Sequence, residues 1–181
     1  MKHRTQVFEK FDQADRHLMA LLKEVEGYSD AVLDSKPAPG AWSVKENMYH
    51  LVKAEQLAHR YLEKKLSQPA NLEPAGWKST WRLWRLQLAF GAPFRIKAPA
   101  VVNPEDMPDL SIVALTTQWQ EQRKALRDFL AAQPDLVFDK AAFNHPLVGR
   151  LSLWGMLDFF SGHLRRHQGQ IRRTLAQVAK T

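Results

Sequence analysis

Two histidines, His163 and His167, stand four residues apart in the segment GHLRRHQGQI. In a helix, a separation of four turns the second residue by about 40° and raises it by about 6 Å, so both imidazoles project from one face. Two rings so placed can share a metal ion. The residues between them are Leu164, Arg165 and Arg166 with no glutamate, so the zinc-protease signature HExxH is absent. Arg165, Arg166, Arg172 and Arg173 suit an exposed basic helix equally well, and the local sequence leaves both readings open. However, Phe160, Leu164, His167 and Ile171 recur at steps of three or four, which sets the pair at the border of an apolar stripe. A buried imidazole needs partners for its ring nitrogens, and a metal is one way to supply them.

A third ligand has to come from another element. His50, beside Met48 and Leu51 in WSVKENMYHLVKAE, is the candidate, and it faces inward if its helix packs on the last one. A lone histidine on an apolar face is ordinarily a hydrogen-bonded core residue. Three of them on two helices of one bundle shift the balance toward a metal. The remaining histidines rank lower. His3 is near the start and is expected to be solvated, and His59 lies nine positions beyond His50, half a turn around the helix. His17, flanked by Asp15 and Arg16, is expected at the surface or rim, and His145 in NHPLVG is expected to brace a turn. Glu55, one turn past His50, is a candidate to support a ligand from behind, although a solvated helix carboxylate is the favoured reading.

The elements that must position these residues are helical. Val7, Phe11, Ala14, Leu18, Leu21 and Val25 form the stripe of a first amphipathic helix, which Gly27 is expected to end. Pro37, Pro39 and Gly40 keep the next stretch irregular, and Ser43 with Glu46 then forms a capping box. A second helix is expected from Ser43 to Leu66, with Met48, Leu51, Leu57 and Leu62 among its apolar positions. Within residues 69–110, WKSTWRLWRLQLAF is a candidate helix with Trp77, Trp81, Trp84 and Leu88 on one side. Four prolines interrupt the chain beyond it, so a long, partly ordered loop is expected there. A third bundle helix opens at Ser111 and runs to about Ala132, with Leu115, Trp119, Gln122, Leu126 and Phe129 as its stripe. NHPLVGR reads as a turn, and Ser152 caps a last helix containing Met156, Leu157, Phe160, Leu164, Ile171 and Leu175. No alternating strand pattern is evident. These features predict an all-α fold, a four-helix bundle with a long crossover connection between helices two and three, as one domain over residues 1–181.

Composition narrows the function classes. With 45% hydrophobic and 25% charged residues the chain can bury a core, and no apolar run approaches the roughly 18 residues of a membrane span. The first residues, MKHRTQVFEKFDQADRH, lack the apolar stretch of a secretion signal, so a cytoplasmic location without a membrane partner is expected. The absence of cysteine removes disulfides, thiolate metal ligands and any thiol nucleophile of the chain's own. A net charge of +7 attracts phosphate, but basic and acidic residues alternate in FEKFDQADRH and QWQEQRKALRD, so nucleic acid is not the expected partner.

WSVKENMYHLVKAE together with HPLVGRLSLWGMLDFFSGHLRRHQGQI resembles the DinB-like (DinB/YfiT-like) superfamily of metal-binding four-helix bundles. The first stretch is similar to the family's tryptophan, capping hydroxyl and histidine on helix two, and the second to its His-Pro turn and HxxxHxxQ helix. The resemblance implies that His50, His163 and His167 are the metal ligands and that Gln170 supports them from behind. Trp42 and Ser43 then serve the helix start. Residues 69–110 match no motif of the family and are where a substrate preference could reside.

Three neutral imidazoles would leave a divalent ion its full charge and at least one open position, the arrangement of a catalytic site. Water bound there can have its pKa lowered toward about 7, and would itself be the catalytic group. The open position could instead take a thiolate. The resemblance implies either chemistry, since some members look like metal-dependent hydrolases. Others resemble transferases or isomerases that use a low-molecular-weight thiol such as bacillithiol, mycothiol or glutathione. Imidazole ligands suit several metals, with zinc placed first and nickel second. The expected function is that of a hydrolase or thiol S-transferase acting on a small electrophile. The rival reading is a non-catalytic metal-binding bundle, stress-related or a homodimeric interaction module, its site closed over by residues 69–110.

Overall fold

The computed structural model describes residues 2–68, 72–91 and 100–179. Among them the chain is mostly helical: α1 spans Lys2–Val25, α2 Asp30–Asp34, α3 Val44–Leu66, α4 Trp77–Gly91, α5 Ile112–Ala131 and α6 Leu153–Val178. Helix α1 packs on α6, α3 packs on both α5 and α6, and α4 packs on α6 and on a small hairpin, β1 Phe143–His145 and β2 Gly149–Leu151.

The helix starts follow the capping chemistry. Ser43 Oγ accepts from Glu46 N at 3.1 Å while the Glu46 carboxylate accepts from Ser43 N at 2.7 Å, which satisfies two otherwise unpaired donors reciprocally. Ser111 and Ser152 cap α5 and α6 through Ala114 N at 3.1 Å and Gly155 N at 3.0 Å. The apolar stripe of α1 is fully inward, with Val7, Phe11, Ala14, Leu18, Leu21 and Val25 all buried. The core has two contiguous parts. Phe11, Leu62, Leu126 and Phe160 belong to one, and Leu18, Met48, Trp119, Leu164 and Ile171 to the other. Each large side chain removed from water contributes roughly 1.5–3 kcal/mol. The histidines of α6 fall where the first part gives way to the second.

Several elements depart from the sequence reading. The irregular stretch after α1 contains the short helix α2, capped by Ser29. It is tied to α3 by Lys45, whose buried ammonium donates to Asp34 at 2.8 Å and Asp30 at 3.3 Å. Leu57 is only half-buried, and Ala58 and His59 take the inward positions beside it. On α5, Gln122 and Phe129 are likewise half-buried, while Arg123 and Leu130 are inside. The turn NHPLVGR lies within the antiparallel hairpin of β1 and β2, with His145 opposite Gly149. Strands of three residues are too short to display an alternating period. Gly149 has φ of 82°, a left-handed conformation that glycine adopts without steric cost.

The loop expected over residues 69–110 contains helix α4 and two 3-10 turns, Ala100–Val102 and Pro104–Asp106; residues 69–71 and 92–99 of that stretch lie outside the described part. The helix is where the sequence placed it, but its tryptophan side faces outward, with Leu83 and Leu86 buried instead. No described helix is long and apolar enough to cross a membrane.

Candidate metal centre

His50 on α3 and His163 and His167 on α6 converge although 113 residues separate the first two along the chain. One ligand-capable nitrogen from each lies within 4.8 Å of the other two. His50 Nε2 is 3.1 Å from His163 Nε2, and the three ring centroids are 4.7–5.0 Å apart. His50 and His167 are buried and His163 is partly accessible.

Two of the rings have their tautomer fixed from behind. A carbonyl can only accept, so the 2.8 Å contact between His50 Nδ1 and Val102 O means that Nδ1 carries the proton and Nε2 presents a lone pair. His167 Nδ1 lies 2.9 Å from Asn47 Oδ1, and the orientation of that amide is set at its other end, where Asn47 Nδ2 donates to Ser43 O at 2.8 Å. His167 therefore donates from Nδ1 and also turns an unprotonated Nε2 inward. Supporting acceptors of this kind are what metal-ligating histidines ordinarily have.

The donor set fits a divalent ion. At metal–nitrogen distances of about 2.0–2.1 Å, nitrogens on a tetrahedron stand roughly 3.3 Å apart. The 3.1 Å separation of the His50 and His163 nitrogens is close to that spacing. Burial pushes all three rings below the ordinary histidine pKa: His50 is lowered, His163 is lowered well below it, and His167 falls to about 3. Their mutual proximity and Arg166 lower His163 and His167 further, so these imidazoles are neutral at pH 7 and able to ligate.

Aromatic side chains flank the cluster. Trp42 stacks on His167 with 14° between planes and a centroid distance of 6.1 Å, and Phe159 stacks on His163 at 17° and 5.2 Å. Phe159 also meets His145 edge to face at 4.5 Å. Trp42, read from sequence as serving the helix start, thus also walls the histidine cluster. His145 braces its turn as expected, its Nδ1 accepting from Leu147 N at 3.2 Å, and burial takes its pKa to about 4.

Glu55 is neither solvated nor aimed at the histidines. It is 3% exposed and faces α5, where its carboxylate accepts from Arg123 Nε at 2.7 Å, Arg123 Nη2 at 2.8 Å and Trp119 Nε1 at 3.1 Å. Five residues on from His50 is about 140° around the helix, which carries Glu55 to another side. Gln170 is half-buried and, among the described residues, makes no hydrogen bond to the three rings. The support comes from Asn47 and Val102, neither of which the sequence reading selected. Asn47 could have been found, because it lies four residues after Ser43 and three before His50 on one side of α3. A backbone carbonyl such as that of Val102 leaves no such trace. His59 bonds to Gln122 at 3.1 Å and packs on Phe129, away from the cluster, and His17 is half-buried on α1.

A model of the DinB superfamily matches residues 13–171 of the chain, a span that includes all three histidines. The chain is also 24% identical over 157 residues to the uncharacterized protein YuaE of Bacillus subtilis (strain 168), an alignment that covers 87% of this chain and 91% of that one.

Proposed function

The chain belongs to the DinB superfamily, and from that premise we propose that His50, His163 and His167 hold a divalent metal, zinc or nickel, in an enzyme acting on a small electrophilic substrate. The observation that carries this reading is the convergence of three neutral imidazoles, two of them with Nδ1 already committed to an acceptor and Nε2 left unprotonated. An ion held there supplies Lewis acidity and an open position for water or an external low-molecular-weight thiol, giving hydrolysis or thiol S-transfer. The chain's own contribution is preorganisation. Val102 and Asn47 fix the His50 and His167 rings, and Trp42 and Phe159 wall the cluster with apolar surface. With no cysteine in the chain, the thiol of a transfer reaction comes from solution. In this reading α1, α3, α5 and α6 are the four helices of the bundle, and the long connection carrying α4 is its crossover.

Elemental analysis of the purified protein tests the site. The wild type is expected to carry about one metal ion per chain and His163→Ala none, since loss of one of three protein ligands leaves the ion two. Metal retained by a variant lacking all three histidines would overturn the assignment. The non-catalytic reading draws support from Val102, which brings the 69–110 segment against His50. Metal-loaded protein that turns over nothing in hydrolase and thiol-transfer screens would favour it.

A further inference from the structure

Helix α4 turns its tryptophans away from the protein. Trp77, Trp81, Trp84 and Leu88, at steps of four, three and four, share one face and are 75%, 51%, 59% and 56% exposed. About 180° around the helix, Ser79, Leu83 and Leu86 are buried. That side is firmly seated, since Ser79 Oγ accepts from Ser152 N at 3.0 Å and Arg82 donates to Arg150 O at 3.2 Å. The apolar stripe is thus a second hydrophobic face on a helix whose first is already used. Surface apolar residues scattered singly need no explanation, whereas a contiguous stripe marks an interaction site.

The charge of this region identifies what it meets. The sequence of α4 holds three basic residues, Lys78, Arg82 and Arg85, and no acidic one. The rest of the chain sets 23 basic residues against all 19 acidic ones, so this one 15-residue helix supplies +3 of the net +7. Arg85 lies beside the stripe, its guanidinium 4.8 Å from the Trp81 ring centroid. Tryptophan at the level of lipid headgroups, with arginine on the flank reaching for phosphate, is the pattern of a helix lying in a membrane interface.

We infer that α4 is a docking surface for an anionic lipid membrane, with Trp77, Trp81, Trp84 and Leu88 entering the headgroup and acyl boundary and Arg85 at the phosphate level. A 15-residue helix lying flat does not span a bilayer, so the lack of an apolar run long enough to cross one does not bear on this surface. Pairing of α4 with α4 in a second copy would, by two-fold symmetry, bring two acid-free basic helices together. Duplex nucleic acid would answer the charge but leave the four apolar side chains in water.

Vesicle flotation tests this with the full chain, using phosphatidylcholine vesicles with and without about 30 mol% phosphatidylglycerol at about 0.1 M salt. The wild type is expected to float with the anionic vesicles, with tryptophan emission moving to the blue, and to partition at least about tenfold more weakly onto neutral ones. Arg85→Gln should lower anionic partitioning about fivefold, and Trp81→Glu/Trp84→Glu should abolish it with the helical circular dichroism unchanged. No flotation of the wild type, or equal flotation of the double variant, overturns the inference. So does a wild-type dimer that the double variant converts to monomer. Binding to a single-stranded oligonucleotide that the same variant loses, without vesicle binding, would overturn it in favour of base stacking.

Discussion

Removing the Glu55 carboxylate should cost the protein stability and leave the histidine cluster intact. Arg123 is 3% exposed, and its guanidinium is satisfied by two bonds to Glu55, at 2.7 and 2.8 Å, and one to Asp15 at 2.9 Å. In Glu55→Ala the two inner bonds vanish and a cation stays buried with only the half-exposed Asp15, at a cost of about 3–5 kcal/mol. The Trp119 indole also loses its acceptor, so the upper part of that range is expected. For a chain of this size, with each kcal/mol worth about 2–4 °C, melting should fall by roughly 10 °C or more. Glu55→Gln/Arg123→Met removes both charges while keeping an acceptor for Trp119, and should recover most of the loss. Urea denaturation of Glu55→Gln, Arg123→Met and the double variant, read as a double-mutant cycle, measures the coupling. Metal content of the folded Glu55→Ala protein should match the wild type, because Glu55 faces α5. A loss below about 1 kcal/mol, or lost metal with unchanged stability, would refute the assignment of a buried structural pair.

Asn47→Leu removes the acceptor behind His167 and should weaken metal affinity by about 10–100-fold with little change in helical content, as read by competition against a chelator; unchanged affinity would remove Asn47 from its positioning role. His145 has a folded pKa of about 4 against an ordinary 6.5, so the unfolded chain binds its proton first. Its contribution to stability is complete above pH 7 and is lost as pH falls from 6.5 toward 4, amounting to about 2 kcal/mol by pH 5. His145→Asn should therefore show a stability difference between pH 7.5 and pH 5 smaller by about that amount, measured by denaturant titration at each pH. A pH slope identical to the wild type would contradict the buried, neutral state of that ring.

What the sequence determined by itself was local. Ser43 and Glu46 announce the start of α3 because a capping box is made within four residues, and the i, i+4 spacing puts His163 and His167 on one side of α6 whatever surrounds it. The stripe of α1 was legible for the same reason: a single strongly apolar face leaves only one way to turn a helix. Tertiary structure decided the rest. Helix α4 carries apolar residues on two sides, so periodicity could identify the helix but not which side meets α6. The core took Leu83 and Leu86, leaving the tryptophans outside. Glu55 looks like any solvated carboxylate until Arg123, 68 residues away, meets it. The acceptors that orient the rings were hidden for two reasons. Asn47 serves His167 only once α3 lies against α6, and Val102 contributes a carbonyl, which every residue has and no side-chain pattern marks. Helical geometry propagates along neighbouring residues, whereas the choice of partner depends on packing between segments far apart in the chain.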